Sequence, residues 1–258
     1  MVKKDMKSFA KKGQLAITII IAIVIVAIVL VVFLFPRLKV FSSEVNPSAF
    51  LSKCIEPEVE DVVSVLSEQG GYNAPDNYVL YEGTQVQYLC YTAEDYKPCL
   101  VQQPLLVSHV ENEIKSYVQP KARQCVEDLR EEYERKGYDV QTTPGEIEVS
   151  IVPGSIDVEF LSPMTVTKET TQSFQKFSVG LDSEIYDLLL IATSIIDFES
   201  KFGDSETTLY VQYYPDLTID KIKRDDEGTI YKLSNVVTED KFTFASRSLI
   251  WNPGYGLE

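Results

Sequence analysis

The most defined chemistry in this 258-residue chain belongs to four cysteines, Cys54, Cys90, Cys99 and Cys125. An even count fits a disulfide framework, and four cysteines allow three pairings. Cys90 and Cys99 flank Tyr91 to Pro98, a loop containing Asp95 and Pro98, which suits a stapled hairpin. Cys54 precedes one predicted helix and Cys125 lies within another, so a bridge between them would staple two helices. Closing a loop of about 70 residues stabilises a fold by roughly 4 kcal/mol in the chain-entropy view. Zinc would need close pairs such as C-x2-C, and the sequence holds none.

Other residue clusters suggest chemistry and then lose it on closer reading. His109, the only histidine, follows Ser108, but neighbours on a helix do not face each other, and no G-x-S-x-G turn is present. The pair reads as a helix-cap serine followed by a surface histidine. Asp225-Asp226-Glu227-Gly228 invites a hard cation such as calcium, yet lacks EF-hand spacing and reads as a solvated turn. Gln69-Gly70-Gly71-Tyr72 follows a predicted helix, whereas a phosphate-cradling loop would precede one. It reads as a helix stop, although a Gly-Gly turn can also approach a ligand closely. Tyrosine is abundant, at 15, and gives large contact area at low entropic cost, as recognition surfaces use it. Gln69, Gly70, Gly71, Tyr72, Tyr91 and Tyr96 are accordingly the candidate recognition surface. None of these readings implies a cofactor, a metal site or catalytic residues.

Local patterns supply the elements that would position these groups. Residues 36–53 are expected to be a stalk, because Ser42, Ser43, Pro47 and Ser48 interrupt regular periodicity. A helix is predicted from Glu56-Pro57-Glu58, with Val59, Val62, Val63 and Leu66 at helical spacing. A hairpin over Tyr78–Tyr81 and Thr84–Tyr91 turns at Glu82-Gly83. Ser108-x-x-Glu111 reads as a capping box opening a helix to about Lys136, kinked or divided at Pro120 and ended by Gly137. Alternation then shifts to period two. One hairpin turns at Pro153-Gly154, and a second sets Met164–Thr167 against Phe174–Val179. A helix from about Ser183 to Phe202 presents Ile185, Leu188, Leu189, Ala192, Ile195, Ile196 and Phe202 to a core. Strands are expected at Thr207–Tyr213, Leu217–Ile222, Thr229–Leu233 and Lys241–Trp251.

The N-terminal region carries the location signal. Leu15 to Phe35 is a 21-residue run without a charge, matching a bilayer's ~30 Å at ~1.5 Å per residue. Lys3, Lys4, Lys7, Lys11 and Lys12 lie before it, opposed only by Asp5, which predicts a cytoplasmic N-terminus. The net charge of −15 argues against non-specific nucleic-acid binding. The expected organisation is a basic segment over 1–14, a transmembrane helix over 15–35, a stalk over 36–53 and an extracytoplasmic domain over 54–258. That last region is read as one domain, or as lobes 54–137 and 138–258.

Two resemblances extend this reading. Lys11-Lys12-Gly13-Gln14 before the apolar run resembles the processing site of archaeal type IV pilin-like precursors, which are cut after the glycine. Thr18 stands where those precursors usually carry glutamate. Separately, Cys54 with its apolar helix, Gln69-Gly70-Gly71-Tyr72, the tyrosine-rich strands, the cysteine-bearing helix and Phe242-Thr243-Phe244-Ala245-x-Arg247-Ser248 resemble a group of uncharacterised single-pass archaeal envelope proteins. That resemblance implies a membrane-anchored surface protein and supplies no catalytic residues.

The sequence therefore predicts an α+β fold: an N-terminal transmembrane helix followed by an extracytoplasmic domain of helices and antiparallel hairpins. The expected function is non-enzymatic, in protein interaction or envelope structure, with the bilayer and a protein partner as contacts and oligomerisation left open. A pilin-like filament or minor pseudopilin subunit and an anchored extracytoplasmic hydrolase are the alternatives. Cleavage between Gly13 and Gln14 is the test of the first.

Overall fold

The structure, a computed structural model, describes residues 22–26 and 45–248. The chain divides into two units, Met1–Glu44 and Val45–Glu258. Within the first, residues 22–26 are helical, with Ile23, Val24, Ile25 and Val26 exposed. This corrects the expected fold class. Among the described residues no helix is long and apolar enough to cross a membrane. The rest of the 15–35 run, Gly13 and Gln14 lie outside the described residues.

The second unit is α+β with mixed sheets. Its elements, in chain order, begin with α1 (Pro47–Glu68), β1 (Tyr78–Tyr81), β2 (Thr84–Tyr91), β3 (Leu100–Val101) and α2 (Leu106–Arg135). They continue with β4 (Asp139–Thr142), β5 (Ile147–Val152), β6 (Ser155–Phe160), β7 (Met164–Thr167), β8 (Thr171–Phe174) and β9 (Phe177–Asp182). The last third holds α3 (Ile185–Phe202), α4 (Thr208–Tyr213), β10 (Leu217–Lys223), β11 (Thr229–Asn235) and β12 (Lys241–Arg247). One sheet runs β1-β2-β12-β11-β10, with β3 also on β2, and its β2–β12 pairing is parallel. Two three-stranded antiparallel sheets, β4-β7-β8 and β5-β6-β9, complete the fold.

Helix α1 starts well before the predicted position. Asn46 is its N-cap and accepts a hydrogen bond from the Ala49 amide at 3.1 Å, with Pro47 in the first turn. An Asn-Pro pair is a strong start signal because the side chain satisfies an orphan amide and proline's missing N–H costs nothing there. Part of the expected stalk is thus helix, and Pro57 lies inside it. Helix α2 likewise opens earlier, at Leu106, without a side-chain cap. Glu111 makes no capping box. It reaches across instead to accept from the Ile151 amide at 2.9 Å. The helix continues through Pro120 as one 30-residue element. Gln119 next to the proline bonds Gly145 O and Ile147 N, tying this stretch to β5.

Two strand assignments also change. The segment Phe174–Val179 is divided between β8, which pairs with β7, and β9, which pairs with β6 in another sheet. Thr207–Tyr213 contains α4, none of whose residues is buried. Its β-branched and aromatic residues favour strand locally, but a strand needs a partner and a covered face. By contrast, the turns at Glu82-Gly83 and Pro153-Gly154 form as the residues dictate.

One large core spans Val45 onward and includes residues on both sides of Gly137. The inner faces of α1 (Leu51, Ile55, Val59, Val62), α2 (Ile114, Val118, Leu129) and α3 (Leu188, Ala192, Ile195) meet Phe160, Tyr231, Phe242 and Phe244 from the sheets. The Cys54–Cys125 bridge joins α1 to α2, with a Cα–Cα distance of 5.9 Å. Cys90–Cys99 closes the loop after β2, at 5.3 Å.

Gly71 shows how tightly the end of α1 is set. Its amide donates to Leu66 O at 2.7 Å, the 6→1 bond of a Schellman stop. Its φ is +86°, and an added Cβ would lie 2.9 Å from Val110 Cγ2. Gly71→Ala therefore combines a left-handed penalty with a steric one. We expect a loss of about 2 kcal/mol, read as a lower urea midpoint with an unchanged slope.

Candidate functional site

Three regions gather polar or aromatic side chains: a groove along α1, a tyrosine cleft at the edge of the large sheet, and a sealed cluster at the end of α3.

The groove is about 570 Å³ and runs between the outer side of α1 and the ends of β9 and β12. Helical spacing places Glu56, Glu60 and Ser64 on one flank, with Val59 and Val63 beneath. Ile156 and Leu181 complete the apolar floor, and Glu68, Asp182, Glu239 and Asp240 add acid to the rim against a single Lys241. Asp240 also has a structural duty. Its carboxylate accepts from Glu184 N at 2.7 Å and from Ser183 Oγ at 3.1 Å, capping α3 from outside the helix. Ser183 Oγ in turn accepts from Ile185 N at 3.2 Å, so Ser183 and Asp240 together hold the start of α3.

The tyrosine cleft, about 540 Å³, is lined by Asn77, Tyr78, Tyr88, Tyr91, Ala93, the acidic turn and Arg247. Tyr88 and Tyr91 would face opposite sides of a regular strand, being three residues apart. The β2–β12 register shifts between Tyr88 and Cys90, and this irregularity accompanies a ring separation of only 5.1 Å. Arg247 is held by Thr92 O at 2.6 Å, Asp226 O at 3.1 Å and Glu227 at 3.4 Å. The acidic turn is indeed a hairpin turn: Asp226 Oδ1 accepts from Gly228 N at 3.2 Å, and Arg224 N bonds Gly228 O. Among the described residues no group of three or more acidic, histidine or cysteine side chains is placed to hold a metal.

The sealed cluster centres on Glu199, only 2% exposed. Its Oε1 accepts from Tyr231 Oη and, at 2.9 Å, from Ser205 N; its Oε2 accepts from Ser246 Oγ at 3.0 Å. Burial raises the Glu199 carboxyl above its usual range, outweighing these hydrogen bonds. Burial and the adjacent carboxylate hold the Tyr231 phenol neutral. Nearby, burial raises Asp204 but hydrogen bonds and ion pairs to Lys221 and Lys223, at 2.6 and 2.8 Å, prevail and lower it. Ser246 Oγ lies 3.8 Å from Cys99 Sγ, so the cluster backs onto the second bridge.

The predicted recognition residues fall into separate environments. Gly70 and Gly71 are buried, and Gln69 and Tyr72 are half-buried. Tyr72 packs its ring 4.1 Å from His109 and donates to Gln103 Oε1. His109 bonds the Gly71 backbone and packs against the Tyr72 ring, and burial lowers its pKa. Tyr91 lines the cleft, and Tyr96 sits on the exposed loop within the second disulfide ring. The central residue missed from the sequence is Glu199. Its signal was present: it continues the 192–195–196 spacing on the buried face, whereas Phe202, expected there, is 60% exposed. No known protein family matches the chain, and neither a characterised protein nor a solved structure matches it.

Proposed function

We propose that this chain is a binding module of an oxidising, extracytoplasmic space, whose acid-rimmed groove along α1 takes a basic, amphipathic segment of a partner protein. The groove is the observation that carries this reading. An apolar floor framed by Glu56, Glu60, Glu68, Asp182 and Glu239 complements a segment bearing lysine or arginine on either side of an apolar stripe. Two disulfides support the compartment, since such bridges persist where thiols are not kept reduced. The wall is firm as well, because Cys54–Cys125 pins α1 to α2 and Asp240 anchors the far side to α3. Binding is favoured over catalysis because the buried carboxylate, Glu199, is sealed and spent on three internal donors.

The test uses a synthetic lysine-leucine amphipathic peptide and its glutamate-leucine counterpart. The lysine peptide is expected to bind with salt-sensitive affinity and the glutamate peptide not at all. Glu56 and Glu60 are exposed and one turn apart. Reversing both, E56K/E60K, should weaken the lysine peptide at least tenfold, about 1.4 kcal/mol. Equal affinity before and after reversal would remove the groove from the reading.

A further inference from the structure

We propose that the cleft framed by Tyr78, Tyr88 and Tyr91 is a binding site for a neutral saccharide. This site is distinct from the α1 groove and stands whether or not that groove binds a peptide. Its volume, about 540 Å³, falls within the ~300–1,000 Å³ typical of small-ligand sites.

The lining narrows the ligand's chemistry. Asp225, Asp226 and Glu227 line one wall and would repel phosphate or carboxylate ligands. The Arg247 guanidinium on the same lining is bonded to Asp226 O and Glu227 and leaves the lining net negative, so an organic cation is the competing occupant that tetramethylammonium tests. The aromatic faces call for a partly apolar body, and the mixture of donors and acceptors calls for many hydroxyls. Pyranose rings combine the two, with C–H faces that pack on tyrosine and hydroxyls that pair with planar polar groups.

The site is also preorganised. Tyr88 is 6% exposed and sits in a small apolar cluster with Val79, Val86, Ile230 and Ala245, which also holds Tyr91 at its margin. Gly228 leaves the space beside Tyr88, since a Cβ there would lie 3.1 Å from the phenol oxygen. Arg247 is fixed by its bonds to Thr92 O and Asp226 O. Asp226 and Glu227 are occupied by Gly228 and Arg247. The Asn77 amide, the Asp225 carboxylate and the Tyr78 and Tyr91 hydroxyls have no side-chain hydrogen bond to another described residue and are available to a ligand. A wall held in place before binding lowers the ordering cost that weakens most shallow sites.

Calorimetric titration of the full chain with maltotriose, cellotriose, mannotriose and diacetylchitobiose tests this directly, with tetramethylammonium and inorganic phosphate as charged probes. At least one saccharide should bind with a Kd of about 1 mM or tighter. Tyr78→Ala and Tyr91→Ala should each weaken it at least tenfold, while E56K/E60K leaves it unchanged. Disulfide mapping of each variant confirms an intact fold, and Asp225→Asn, an isosteric change on an exposed turn, should weaken binding without any packing loss. Silence from all four saccharides, binding indifferent to both tyrosine variants, or preferential binding of either charged probe would overturn the proposal.

Discussion

Replacing both members of the helix–helix bridge, C54S/C125S, is expected to cost about 4 kcal/mol of stability and lower the melting temperature by roughly 8–16 °C. The bridge closes a sequence separation of 71 residues. Most of the loss is expected from the greater freedom of the unfolded chain. Cys125 is fully buried, and serine there adds the cost of a hydroxyl in an apolar setting. The shorter ring, with a separation of 9, constrains far less chain, so C90S/C99S should cost less through loop closure. Thermal unfolding of the two double variants under non-reducing conditions ranks them. An equal or reversed order would show that the α1–α2 staple is not the principal restraint.

The second large effect is expected at Glu199. Glu199→Ala leaves Tyr231 Oη, Ser246 Oγ and Ser205 N without their shared acceptor in a buried space, and should cost about 3–5 kcal/mol. Glu199→Gln keeps an acceptor at the Oε1 position and puts a donor toward Ser246, as the protonated acid does. It should cost only about 1 kcal/mol. The pH dependence separates the two roles. Because burial raises the folded carboxyl above its usual value near 4.5, the folded state binds the extra proton in the window just above that value. The associated stability is complete below that pH and is lost as pH rises through the folded value. Asp204 has the opposite sign: its lowered carboxyl gives stability present above its ordinary value and lost as pH falls. Urea midpoints between pH 4 and 8 should fall with rising pH more steeply in the wild type than in Glu199→Gln. Parallel profiles would mean that Glu199 is not the group responsible.

Much of the local structure was legible because its signals are local. Glu82-Gly83 and Pro153-Gly154 fix their hairpins through backbone preferences that no distant contact overrides. Gly137 stops α2 for the same reason, with Tyr138 N bonded back to Tyr133 O. The cysteine placements also pointed to the two bridges, since one pair flanked a short loop and the other joined two helices. The start of α1 is also a local signal, at Asn46-Pro47, but Pro47 and Ser48 read as breaks in periodicity and so fell within the expected stalk. Thr207–Tyr213 misled because strand preference describes a covered surface, and these residues have none.

The candidate sites were far less legible. The groove joins residues 52–68 to 156, 180–183 and 239–241, and only the packing of α1 against two sheets makes them neighbours. The tyrosine cleft depends on a register irregularity in a parallel strand pair, a non-local event with no turn residue to announce it. Glu199 was readable from helical spacing alone, yet an acidic residue on an apolar face becomes interpretable only once Tyr231, Ser205 and Ser246 are seen around it.

The proposal of a stapled module working in an oxidising space is most directly tested by alkylating the native protein, unreduced, as it is taken from its own cells. Peptide mass mapping should find no alkylated cysteine, with Cys54 linked to Cys125 and Cys90 linked to Cys99. Free thiols at these positions, or any crossed linkage, would contradict it.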